Sequence, residues 1–164
     1  MKKLIWMILA YLLIPLSLFA GGTKVLFSPN GECQQAIVDE INAASSRIDI
    51  AMYNLTSREI AQALIAAKER GVAIRIFLDQ EEANSKYSKG RYLAQNGLSI
   101  RCYQGEGLMH NKFAVIDNRV LITGSFNWTP TAERKNQENL LIMTDKDLIK
   151  QFSNRFELLW RSGR

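Results

Sequence analysis

Hydrophobic and polar positions along this chain switch repeatedly between a period of two and a period near 3.6. Lys24 to Ser28 reads as a short strand, Pro29-Asn30-Gly31 as a turn, and Glu32 to Ser46 as a helix with Ile37, Ile41 and Ala44 on one face. Arg47 to Tyr53 then alternates. Ile48, Ile50 and Met52 point one way and Arg47 and Asp49 the other, which predicts a strand with one polar face. Thr56-Ser-Arg-Glu59 has the form of a capping box, Gly71 stands where a helix would stop, and Ile60, Leu64 and Ala67 make the apolar face between them. Val72, Ile74, Ile76 and Leu78 alternate as another strand.

The polar stretch Gln80 to Arg91 reads as a surface loop. A shorter helix follows over Ser88 to Asn96, closed by Gly97, and Leu98, Ile100 and Cys102 mark a strand. Lys112 to Ile116 and Arg119 to Thr123 are apolar, β-branched runs joined by Asp117-Asn118, a pair suited to a hairpin turn. Thr129-Pro130 is an N-cap followed by proline at the first helical position. Asn139 to Met143 reads as a further strand. Asp147 to Trp160 is a final helix with Leu148, Phe152, Phe156 and Leu159 or Trp160 facing inward. The order predicts one α/β domain over residues 21–164, a mixed β-sheet flanked by helices on both faces.

Residues 1–20 stand apart. Met1-Lys2-Lys3 is a basic start, Leu4 to Ala20 carries no charge, and Gly21-Gly22 follows. That is an export signal, either a cleaved signal peptide or an uncleaved membrane anchor. Leu18-Phe19-Ala20 fits the small-x-small cleavage rule only at its last position, which favours the anchor, with the domain on the outer side. The expected location is the periplasm, the outer face of the inner membrane or the secreted medium. Export to an oxidising compartment also makes a Cys33–Cys102 disulfide a candidate, with two buried free thiols as the alternative.

The 164 residues and 47% hydrophobic content suit one domain with a real core and argue against disorder. The net charge of +5 suits polyanionic partners, though Lys2 and Lys3 supply part of it, so clustering matters more than the total. Lys86, Lys89 and Arg91 interleave with Tyr87 and Tyr92 in one stretch, and Arg134 and Lys135 lie closer to the residues described next. All four lysines and arginines at 86, 89, 134 and 135 are candidates for tracking a phosphate backbone; a solvated loop is the alternative for Lys86 and Lys89.

The densest chemistry surrounds the single histidine. His110 and Lys112 fall on one face of an extended segment, about 7 Å apart along the backbone. Asp117 closes that run, and Gly124-Ser125-Phe-Asn127 follows six residues later. Gly124 permits close backbone approach, Ser125 offers a hydroxyl, and Asn127 offers an amide. If the hairpin brings the two groups together, they form a pocket for a tetrahedral anion with an imidazole nucleophile at its edge. No carboxylate cluster is present to hold a metal, and a zinc site of Cys33, Cys102 and His110 would use up the only imidazole, so no metal or cofactor is expected. Asp117 could equally be a turn residue, Glu138 a solvated strand-start residue, and Ser125 a cap for backbone groups.

The pattern His-x-Lys-x4-Asp-x6-Gly-Ser-x-Asn is the signature of the phospholipase D superfamily. Its six fixed positions arise by chance about 10⁻⁸ times per starting point. Trp128 and Asn136-Gln-Glu138-Asn139 extend the resemblance to the small bacterial Nuc-type endonuclease branch. The resemblance implies a metal-independent phosphodiesterase acting on DNA or RNA. In it His110 attacks phosphorus, Lys112 and Asn127 grip the non-bridging oxygens, Ser125 supports the pocket, and Glu138 orients the histidine. Asp117 matches the motif aspartate, whose role in the family is more structural than chemical. That mechanism needs two histidines and this chain has one, so the resemblance implies a homodimer with one composite site. A lipid phosphodiesterase and a nucleic-acid-binding protein that does not cut are the competing readings.

Overall fold

A computed structural model describes residues 22–163. The proposed export segment and the last residue lie outside that range. Seven strands form one mixed sheet in the order β1-β7-β6-β5-β2-β3-β4: β1 (Lys24–Ser28), β2 (Arg47–Met52), β3 (Ala73–Asp79), β4 (Ser99–Tyr103), β5 (Lys112–Ile116), β6 (Val120–Gly124) and β7 (Glu138–Met143). β2, β3 and β4 run parallel, connected by helices; β5, β6, β7 and β1 are antiparallel to their neighbours. The change from parallel to antiparallel pairing falls between β3 and β5, at β2 in the middle of the sheet.

Period-two alternation sends side chains to two cores. Ile48, Ile50 and Met52 of β2, Ile74, Ile76 and Leu78 of β3, and Ala114 and Ile116 of β5 pack beneath α1 (Cys33–Ala43) and α2 (Arg58–Glu69). Ala51, Phe77, Phe113, Val115 and Leu121 face the other way, against Ile149, Phe156 and Leu159 of the C-terminal helix (Lys146–Ser162, α6). The expected aromatic stripe is there: Phe156 is fully buried, with Phe152 and Trp160 packed beside it.

The expected polar face of β2 is not solvated. Asp49 is buried under α6, where Arg47 and Arg75 each approach its carboxylate at 2.7 Å and both also reach Glu157. A central strand covered on both faces has no wet side, so its charged residue survives only by being paired.

Several boundaries shift for local reasons. The first helix ends at Ala43 rather than Ser46, because Ser45 and Ser46 are bonded to Asp117. Ser57, not Thr56, caps α2: its hydroxyl accepts from Ile60 N–H at 3.2 Å and donates to Glu59 at 3.1 Å. The polar stretch after β3 is partly helical. Asp79 caps α3 (Gln80–Asn84), and α4 (Gly90–Gln95) is shorter than the period suggested. Thr129 caps α5 (Pro130–Arg134) as its sequence indicates.

Cys33 and Cys102 are both free, which corrects the disulfide expectation. Cys33 opens α1, and Cys102 lies on edge strand β4 at the far side of the sheet from β1, so the fold holds the thiols on separate elements.

Candidate active site

The motif is gathered by two residues that follow β2. Tyr53 N–H donates to the Asn111 carbonyl at 2.9 Å, and the Asn54 carbonyl accepts from Trp128 N–H at 3.1 Å. Thr56 and Ser57 N–H then both donate to the Trp128 carbonyl at 3.0 Å. His110–Lys112 and Asn127–Trp128 are thus strung on either side of one short segment. Hairpin register completes the arrangement: Phe113 faces Thr123, and the Thr123 hydroxyl donates to the Lys112 carbonyl at 3.3 Å, which carries Gly124 and Ser125 alongside.

His110 is exposed just before β5, and its ring lies 4.5 Å from that of Tyr53 at an interplanar angle of 59°. Lys112 is half-buried. Its Nζ donates to the His110 carbonyl at 3.0 Å and sits 4.9 Å from the Tyr53 ring centroid. Burial pushes the Lys112 ammonium below the usual lysine range, and the nearby Glu138 carboxylate works against that shift. Asn127 is largely covered. Its Oδ1 is the one buried side-chain polar atom without a hydrogen-bond partner among the described residues. The fold therefore leaves that oxygen free to take a partner from outside the described residues.

Ser125 and Glu138 form a unit. The Ser125 hydroxyl donates to Glu138 and accepts from Asn139 N–H at 3.1 Å, and Asn136 Nδ2 donates to the other Glu138 oxygen at 3.0 Å. Among the described residues the Glu138 carboxylate is held by Ser125 and Asn136 and lies near Lys112, and it makes no hydrogen bond to His110 of its own chain. Gly124 makes this packing feasible. Its φ is 145°, and a Cβ there would stand 2.2 Å from the Asn139 carbonyl oxygen.

Asp117 does not belong to the site. It occupies the hairpin turn at the opposite end of β5, about 17 Å from Lys112 along the strand. Asp117 and Asn118 are the central residues of a turn closed by Arg119 N–H on the Ile116 carbonyl, and both are left-handed, with φ of 53° and 49°. Its carboxylate takes N–H groups from Ser45, Ser46 and Arg47 and both serine hydroxyls. Its place among the chemical residues is withdrawn, and the structural role is the one observed.

Arg134 and Lys135 end α5 as exposed residues. Lys89 N–H is tied to the Leu55 carbonyl, in the same β2–α2 connection that holds Trp128, while Lys86 lies over its neighbour Tyr87 at 4.9 Å.

Sequence reasoning missed Tyr53, Asp79 and Glu82. Asp79 is buried; one oxygen accepts from Glu81 and Glu82 N–H, and the other accepts from Met109 N–H at 3.0 Å. One carboxylate therefore fixes both the start of α3 and the residue before His110. An aspartate at the end of an alternating strand, followed by Gln-Glu-Glu, is an N-cap signal that could have revealed the helix. Nothing local points Tyr53 at His110, which is 57 positions away.

A family model described as "Cardiolipin synthase, PLD-like domain" matches residues 37–160. The chain belongs to this phospholipase D superfamily. Among solved structures it is similar to Nuc from Salmonella typhimurium, a phospholipase D family member, with 32% identity and a TM-score of 0.83 over 87% of this chain and 96% of that one. Curated relatives include a phospholipase D of Rickettsia felis, 35% identical over 135 residues (82% of this chain, 68% of that protein). Human mitochondrial cardiolipin hydrolase is 35% identical over 133 residues (80% of this chain, 53% of that protein). The chain spans about half the length of the mitochondrial cardiolipin hydrolases it matches.

Proposed function

We propose that this protein is a metal-independent phosphodiesterase that cleaves nucleic acid through a covalent phosphohistidine. The observation that carries the reading is the convergence, around Tyr53-Asn54, of an exposed imidazole, a half-buried ammonium and an uncommitted amide. His110 attacks phosphorus and the P–O bond to the leaving oxygen breaks. The Lys112 ammonium offsets the charge gathering on the non-bridging oxygens, and the Asn127 Nδ2 donates a hydrogen bond to them. A second imidazole protonates the leaving oxygen, then takes a proton from the water that hydrolyses the phosphohistidine. The chain contains one histidine, so that imidazole is His110 of the partner subunit in a homodimer.

The likeness to Nuc over nearly that whole chain favours nucleic acid. The cardiolipin hydrolase and phospholipase D relatives favour a lipid phosphodiester, as would the N-terminal segment if it remains an anchor and holds the site near a membrane. Purified protein in excess chelator, offered plasmid DNA, RNA and cardiolipin or phosphatidylcholine vesicles, separates the two. Nucleic-acid cleavage that survives chelation is expected, and cleavage abolished by chelator overturns the metal-independent reading. Tight nucleic-acid binding with no acid-labile phosphoenzyme would instead indicate a binding protein. Mixed dimers with one His110→Ala subunit should be inactive; full activity would dismiss the composite site.

A further inference from the structure

We propose that Tyr53 is the positioning residue for His110 and Lys112, acting through the face and edge of its ring. This rests on the phosphodiesterase reading for its kinetic consequence, though not for its geometry.

No side chain among the described residues hydrogen-bonds the imidazole of His110; the aromatic neighbour at 4.5 Å is Tyr53. The tilted arrangement of the two rings is one that aromatic pairs favour. The same ring lies 4.9 Å from Lys112 Nζ, within cation–π range. One side chain therefore contacts both the nucleophile and the cation, and fixes their spacing independently of the strand that carries them.

Tyr53 is itself held. Its backbone is bonded to Asn111, between His110 and Lys112. Glu82 of α3 lies beside its hydroxyl and is gripped from the adjacent position by Asn54 Nδ2. Asp79 ties the first turn of α3 to Met109 N–H, next to His110. Through Asp79, the segment that bears His110 and the helix that supports Tyr53 are anchored to one buried carboxylate. An aromatic ring suits this role because it restrains a neighbouring ring and a neighbouring ammonium without taking a proton from either.

Two substitutions divide ring from hydroxyl. Tyr53→Phe keeps the ring and Tyr53→Leu removes it. Because the chain has one histidine, its imidazole C–H resonances can be followed without assignment ambiguity. In the wild-type chain they should show through-space transfer to the Tyr53 ring protons. They should hold their positions in Tyr53→Phe and move in Tyr53→Leu. With bis(p-nitrophenyl) phosphate as the probe, kcat should fall about tenfold in Tyr53→Leu, more than KM changes, and return to within about threefold of wild type in Tyr53→Phe. Absence of through-space transfer in the wild type overturns the geometry, whether or not Tyr53→Leu folds. A displaced resonance with unchanged kcat overturns the positioning role. An inactive wild type that nonetheless shows the ring contact counts against the phosphodiesterase reading and leaves the contact standing.

Discussion

Asp117 holds Ser46 twice: its Oδ1 accepts the Ser46 N–H at 2.9 Å and the Ser46 hydroxyl at 2.7 Å. Ser45 and Arg47 add three more bonds, so a motif residue locks the hairpin turn to the entry of the central strand. Burial works against the charged carboxylate, but the N–H groups of Arg47, Ser45 and Ser46 and the Ser46 hydroxyl outweigh it and hold Asp117 well below the usual carboxylate range. Its stabilisation is therefore fully present above about pH 4 and is lost as pH falls through its depressed value. Asp117→Asn should cost about 2–4 kcal/mol at pH 7 and flatten the decline of Tm below pH 4, with kcat retained in the folded fraction. Parallel Tm–pH curves for the two proteins would remove this role.

Gly124 should tolerate no side chain. A methyl there meets the Asn139 carbonyl oxygen at 2.2 Å on a left-handed backbone. Gly124→Ala should destabilise by about 2–3 kcal/mol, a Tm loss of about 5–10 °C, and disturb the Ser125–Glu138 pair. An unchanged Tm would mean that β7 yields more readily than the packing indicates.

Lys112 should set the alkaline limit of catalysis below the range of an ordinary lysine, because burial disfavours its charged form. Glu138 opposes that effect, so Glu138→Gln should move the alkaline limb of kcat/KM to still lower pH. Lys112→Met should lose about 10²-fold or more in kcat. A limb that stays in place, or rises, in Glu138→Gln would separate the two groups.

His110→Ala should lower kcat by about 10⁴-fold or more while leaving Tm within about 1 °C, since the ring is exposed and fills no core space. Retained cleavage would end the nucleophile assignment.

Cys33 should behave as a buried thiol and Cys102 as a partly covered one. Burial, with Glu133 adding to it, pushes Cys33 up to about 11, and burial also raises Cys102. Iodoacetamide at neutral pH should label neither in the native protein and both after unfolding without reductant. Labelling of neither after unfolding would demonstrate a disulfide.

Local periodicity was sufficient for the strands, the three long helices and the Asp117-Asn118 turn, because each depends on neighbours within a few residues. The histidine motif was equally legible, since residue type and spacing define it. Other features needed the chain to close on itself. Asp49 reads as a polar strand face until α6, about a hundred residues later, covers it and Glu157 joins the pairing. The Glu138 bond to Ser125 appears only once β7 pairs with β6. Tyr53 reads as the end of a strand until the sheet register sets Asn111 opposite it and brings its ring against both imidazole and ammonium. Residue chemistry and local geometry are written in order along the chain. Which charges become buried, and which groups satisfy one another, is decided by contacts between distant segments, and only the packed sheet supplies those.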